Sequence, residues 1–115
     1  MDCLFCKIIE GKIPSKKVFE NEDVFAFKDI QAQAPVHYLF VPKRHVDSLA
    51  TLPTQDVNLM GRIYEAIKKV ADDEGLSAAG YRTVINTNRN GGQTVFHLHV
   101  HLIGGKPLGG NMAGA

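Results

Sequence analysis

The sequence predicts an α+β fold, a mainly antiparallel five-stranded sheet with one long helix and a short N-terminal helix. Three observations lead there. Five β-rich runs fall into two groups, before and after one helical stretch, rather than alternating with helices. That stretch, 54–75, repeats apolar residues at helical spacing. The 115 residues suffice for one hydrophobic core and not for two, so 1–115 reads as a single domain without linker or repeat.

In chain order, "CLFCKIIEGKI" (3–13) reads as a short helical turn closed near Gly11, with Pro14 preventing its continuation. "KKVFE" (16–20) and "VFAFK" (24–28) read as a hairpin across Asn21-Glu22-Asp23. "HYLFVP" (37–42) is a third strand. The long helix is expected to start at Thr54 as N-cap after Pro53, to present Val57, Met60, Ile63, Tyr64, Ile67, Val70 and Ala71 on one face, and to stop near Gly75. "YRTVINT" (81–87) and "QTVFHLHVHLI" (93–103) make the last two strands, separated by "NRNGG" (88–92) and followed by a Gly-rich, flexible tail over 104–115. One sheet face holds the helix; the other needs a different cover, expected from the second subunit of a homodimer.

Composition narrows the function. Hydrophobic residues are 44% and charged residues 22%, ordinary values for a globular protein. Thirteen Lys and Arg nearly balance twelve Asp and Glu, and a net charge of +1 gives no basic footprint for nucleic acid while leaving room for a small anionic ligand. No apolar run approaches a membrane span, and the first residues do not read as a secretory segment, so no membrane partner and a cytoplasmic location are expected. The two cysteines, Cys3 and Cys6, exclude a disulfide framework; their CxxC spacing suits metal or redox chemistry in a reducing compartment.

The segment Phe96-His97-Leu98-His99-Val100-His101-Leu102-Ile103 alternates strictly, placing His97, His99, His101 and Ile103 on one side of a strand. Residues two apart on a strand are about 6.8 Å from each other, so His97 and His101 lie about 13 Å apart and no single metal can bind all three. A solvated polar face on an edge strand is the bland alternative. A row of imidazoles suits phosphoryl chemistry, one nitrogen attacking phosphorus and its neighbours holding or protonating the departing group. Just upstream, Asn86, Asn88, Gly91, Gly92, Gln93 and Thr94 offer amides, a hydroxyl and backbone N–H groups to phosphate oxygens. This is not a Walker A loop, since it lacks the terminal Gly-Lys-Ser/Thr and leads into a strand.

The run His97-Leu98-His99-Val100-His101-Leu102-Ile103 matches the histidine triad motif, and "KIIEGKIPS", "AFKDIQAQAPVH" and "GYRTVINTNRNGGQTVFHLHVHLIGGKPLG" extend the likeness over nearly the whole chain. The sequence resembles the histidine triad (HIT) family, within it the bacterial purine nucleoside phosphoramidase branch. The resemblance implies that His99 is the nucleophile toward the α-phosphorus of an AMP derivative, that His101 contacts phosphate and helps protonate the leaving amine, and that His97 and His37 support them. It further implies phosphate contacts from Asn86, Gly92 and Thr94, a ribose contact from Asp29, and an apolar slot for the purine built from Phe5, Ile8, Ile13, Phe27, Ile30 and Leu39. No cofactor is implied for catalysis. Cys3-x-x-Cys6 resembles zinc-binding members in which the cysteines join the histidine of a "PKxH" segment and the first triad histidine, here Cys3, Cys6, His45 and His97, a closed structural zinc set. A redox pair, or two plain thiols with His45 on the surface, are the alternatives. The implied reaction is hydrolysis of P–N bonds in AMP–amine conjugates. Dinucleoside polyphosphate cleavage and a non-catalytic nucleotide-binding or zinc-stabilised protein are the alternatives. A nucleotidyl transferase is disfavoured, because that branch carries glutamine where this chain has His101. The tail lacks the aromatic ending of some relatives, so the leaving group stays open.

Overall fold

The computed structural model describes residues 3–110. A short helix α1 (Leu4–Ile9) opens the chain, followed by strands β1 (Lys17–Glu20), β2 (Val24–Lys28) and β3 (Val36–Pro42). The long helix α2 (Val57–Asp73) leads to β4 (Tyr81–Val84) and β5 (Val100–Gly104). The strands form one sheet in the order β1-β2-β3-β5-β4, every neighbouring pair antiparallel.

Strand alternation divides the core between the two sheet faces. Val24, Ala26, Tyr38, Phe40, Val100 and Leu102 face α2 and meet Ile63, Ala66, Ile67, Val70 and Ala71. On the other face Phe25, Phe27, Leu39 and Val41 are covered by Cys3, Phe5 and Ile8 of the α1 region. The chain's own N-terminal helix thus supplies cover for that part of the face. A third, small cluster joins Val84 and Ile103 with Ala34 and Leu108.

Four boundaries differ from the sequence reading, each for a physical reason. A 3-10 turn over Thr54–Asp56 precedes α2, so Thr54 lies within a helical turn and Asp56 takes the N-cap position without a capping side-chain bond. Val57 and Tyr64, assigned to the buried face of α2, are 65% and 62% exposed, because at about 100° per residue both fall on the rim of the arc centred on Ile63, Ile67 and Val70. The last strand begins at Val100 rather than near Gln93, and β4 stops at Val84. The ladder explains both: β3 pairs with β5 only through Phe40↔Val100, and β4 pairs with β5 only up to Val84↔His101, so residues 94–99 have no strand beside them. The tail expected from Gly104 starts later, since Gly104 is a buried strand residue packed against Leu76 and Tyr81. Arg82 Nη2 donates to the Gly109 carbonyl at 2.7 Å. Residues 111–115 of that tail lie outside the described ones.

Among the described residues no helix is long and apolar enough to cross a membrane. Leu102, fully buried between the sheet and α2, reports on this core. Leu102→Ala is expected to lower the unfolding free energy by about 2–5 kcal/mol in urea titrations with an unchanged m-value.

Candidate active site and metal centre

All five histidines lie on or beside the α1 side of the sheet, and each has one ring nitrogen engaged by a partner that fixes its tautomer. His37 on β3 and His101 on β5 share this face as diagonal neighbours, from the register His37↔Ile103 and Leu39↔His101. The Gln33 backbone N–H donates to His37 Nδ1 at 3.0 Å, so a neutral His37 carries its proton on Nε2. That nitrogen lies 3.0 Å from His101 Nδ1 and 3.3 Å from Asp29 Oδ2. Donation to His101 Nδ1 leaves the His101 proton on Nε2, which is buried without any partner among the described residues. A buried donor with nothing to bond is costly, and it marks where a ligand oxygen or nitrogen belongs.

His99 is set the opposite way. Its Nδ1–H donates to the His97 carbonyl at 2.7 Å, which leaves the Nε2 lone pair free. The His99 and His101 rings are 5.1 Å apart centroid to centroid, so a nucleophilic nitrogen sits beside a proton-bearing one. Phe5 meets the His99 ring edge-on at 5.1 Å.

The third group is Cys3, Cys6, His45 and His97. Cys3 Sγ lies 3.3 Å from His97 Nδ1, and Cys6 Sγ lies 3.4 Å from His45 Nδ1 and 3.5 Å from His97 Nδ1. One ligand atom from each of the four residues falls within 4.8 Å of the others. The remaining imidazole nitrogens are taken up, His97 Nε2–H by the Pro42 carbonyl and His45 Nε2–H by Asp47 Oδ1, both at 2.7 Å. Lone pairs aimed inward with outer N–H groups held by oxygen are the arrangement of metal-binding histidines, and two thiols with two imidazoles suit zinc. Burial and the neighbouring Cys3 push the Cys6 thiol up to about 11, so a cation is what would favour the thiolate. The residues fit the group.

The cleft between these parts has a volume of about 1040 Å³. Phe5, Ile8, Ile13, Phe27, Ile30 and Leu39 line it, with Ile30 standing almost fully in solvent. Asp29, Thr94, His99 and His101 form its polar side. His37 and His97 lie behind this wall, reaching the cleft through His101 and His99. Asn86 and Gly92 belong to the neighbouring loop rather than to the cleft lining. Asn86 packs beneath Gly91, and Gly92 uses a left-handed φ of 84° to turn the chain.

Gln93 has a different job from the phosphate contact assigned to it. Its side chain is buried, accepts from the Asn88 N–H at 2.8 Å, and donates to the carbonyls of Asp47 and Val95 at 2.7 and 3.0 Å. With both ends of its side-chain amide engaged, Gln93 braces the loop. Asn88 sits at φ 59° and ψ −171°, a conformation strained for any residue but glycine, and its N–H and carbonyl both bond to Gln93.

The sequence reading also passed over Asp47, Gln33, Lys16 and Lys28. Asp47 was findable, since a carboxylate two residues after a candidate metal histidine is a common orienting partner. Gln33 acts through its backbone, which no side-chain pattern reveals. Lys16 and Lys28 enter the cleft wall through pairing of their backbones, the Lys28 N–H donating to the Lys16 carbonyl.

Burial lowers the pKa of His37, His97 and His99, and takes His101 to about 4 with help from the neighbouring His99 and His37. Below about pH 6.5 the unfolded chain therefore binds protons that the folded chain refuses, and the unfolding free energy falls as pH drops. For His101 this loss runs from about pH 6.5 down to about 4 and then levels off. His101→Asn is expected to make the decline shallower by up to about one proton across that window. Urea titrations of both proteins between these pH values check it, and parallel curves would refute it.

Comparisons with known proteins give the family. The family model for the scavenger mRNA decapping enzyme C-terminal binding region matches residues 2–112. The purine nucleoside phosphoramidase of Escherichia coli K12 is 41% identical over 112 residues, covering 97% of this chain and 94% of that protein. The structure of a HIT family hydrolase from Legionella pneumophila superposes with a TM-score of 0.92 at 46% identity, covering 95% of this chain and 97% of that one. A histidine triad protein from Clostridium difficile gives 0.94 at 44%, covering 97% of both chains. With His99 and His101 lining a cleft, His97 directly behind them, and relatives this similar over almost the full length, the chain belongs to the histidine triad family.

Proposed function

We propose that this histidine triad hydrolase cleaves the P–N bond of purine nucleoside phosphoramidates, AMP–amine conjugates, through a nucleotidyl intermediate on His99. The observation that carries the reading is the pairing at the cleft floor of the His99 Nε2 lone pair with the unpartnered His101 Nε2–H. The similarity to the E. coli phosphoramidase supports the substrate class. A histidine triad nucleotide-binding protein from Candida albicans, 32% identical with a TM-score of 0.80, supports a nucleotide in the cleft.

The chemistry follows from the tautomers. Phosphate charge against His101 Nε2 favours uptake of one proton by the His37/His101 pair, with the Asp29 carboxylate 3.3 Å from His37 stabilising the cation. His99 Nε2 attacks phosphorus, the P–N bond breaks, and the departing amine takes that proton. The His97 carbonyl, bonded to Nδ1–H, stabilises the positive imidazole that forms. Water then attacks the same phosphorus, one proton returning to the His37/His101 pair, and the Nε2–P bond breaks to release the nucleoside monophosphate and neutral His99. Positioning and charge placement supply most of the catalysis in such a transfer.

The Cys3, Cys6, His45 and His97 set is proposed to hold zinc. With four protein ligands it would supply a cross-link between the N-terminus and the triad segment. A homodimer is proposed as well, with Val57 and Tyr64 on the rim of α2 and Tyr81 on the edge strand β4 as exposed apolar surface for it. Light scattering on the purified chain distinguishes dimer from monomer.

A second reading rests on the size of the cleft. At about 1040 Å³ it reaches the upper end of the range for small-molecule sites, which favours a larger substrate such as a dinucleoside polyphosphate cleaved by the same histidines. Turnover of an AMP–amine conjugate against a dinucleoside polyphosphate separates the two. Intact-mass analysis of a single turnover is expected to catch the nucleotidyl adduct on His99. His99→Ala is expected to lose more than about a thousandfold in turnover, and His101→Ala about a hundredfold or more. An active His99→Ala protein rules the mechanism out; tight nucleotide binding without product at enzyme excess would favour a binding protein.

A further inference from the structure

We propose that the Cys3/Cys6/His45/His97 site and the nucleotide cleft are energetically coupled, so that a metal ion at the first holds Phe5 and the His97 carbonyl where the nucleotide and His99 need them. The inference rests on the nucleotide reading above and adds to it a positioning role for the metal ligands.

Two structural links connect the sites. The first is α1. Its six residues are too few for a helix to persist unaided, so its position depends on what anchors it. Cys3 caps it, its sulfur accepting from the Cys6 N–H, and Cys6 closes its first turn, so two proposed ligands bracket Phe5. Phe5 packs edge-on against both His99 and Phe27, at 5.1 and 5.4 Å, and with Ile8 it lines the cleft. Whatever fixes the two sulfurs therefore fixes one apolar wall of the nucleotide site.

The second link is a single residue. His97 offers its ring to the metal set and its backbone carbonyl to His99 Nδ1–H. Residues 94–99 have no strand partner, so this carbonyl is placed by the Leu98 N–H bond to the Val46 carbonyl and by the His97 ring itself. Tying that ring to sulfur and His45 restrains the group that aims the nucleophile. Loss of the tie would loosen the apolar wall and the His99 orientation together.

Coupling of this kind is reciprocal. Zinc affinity of the full chain, measured by competition with a chromophoric chelator, is expected to rise about tenfold in saturating AMP, with circular dichroism following the fold throughout. Phe5→Ala keeps all four ligands and is expected to cut that factor to less than about threefold, because the α1 link is removed. In the wild-type chain, chelation should raise KM for an AMP–amine conjugate by more than it lowers kcat. Equal zinc affinity with and without AMP overturns the coupling, as does a chain that takes up no zinc. An undiminished factor in Phe5→Ala overturns the α1 link and with it the claim that the metal holds Phe5 for the nucleotide. A loaded chain that binds AMP with the expected factor yet forms no adduct overturns the phosphoramidase reading alone, whereas a loaded chain that binds no AMP overturns both.

Discussion

A neutral imidazole has one proton and one lone pair, and everything at this site depends on which nitrogen holds which. The fold answers with fixed oxygens and N–H groups. The His97 carbonyl takes the His99 proton, the Pro42 carbonyl takes that of His97, Asp47 takes that of His45, and the Gln33 N–H faces the bare nitrogen of His37. Burial keeps the cluster neutral, since desolvation is the largest influence on His37, His97, His99 and His101 alike. The same five side chains in water would exchange tautomers freely and have no assigned roles.

The architecture can be understood as the means of delivering those partners. Antiparallel pairing of β3 with β5 sets His37 beside His101, and the end of that ladder releases the chain so that His97 and His99 approach other partners. Pro42 closes β3, and its carbonyl becomes the acceptor for the His97 ring. The helix α1, covering the sheet face that α2 does not, brings two sulfurs and one aromatic ring to the opposite side of the histidines.

Much of this was legible in the sequence. The five strands, the long helix and the strict alternation around His99 are period signals, and alternation survived even where the ladder did not form, with Leu98 in the α2 core and His97 and His99 on the other side. The extent of the last two strands was illegible because strand length depends on how long a neighbour runs, and that is a property of the register. Gln93 was misread because an amide in a glycine-rich loop offers the same atoms to a ligand as to the loop itself; only its burial separates the two. The pocket residues Phe5, Ile8 and Leu39 would pass for ordinary core in any single sequence, and it was the family resemblance that singled them out.

The free stretch 94–99 has one further consequence. Its backbone is held by a few individual bonds, such as that from the Leu98 N–H to the Val46 carbonyl, and not by the cooperative ladder that closes the sheet. Detaching it costs those bonds and the burial of Leu98, His97 and His99 while the strand ladder stays zipped, an opening smaller than global melting. Amide exchange around residue 99 then reports on a private opening, and thermal robustness of the protein can drift without altering how tightly its reactive nitrogen is aimed.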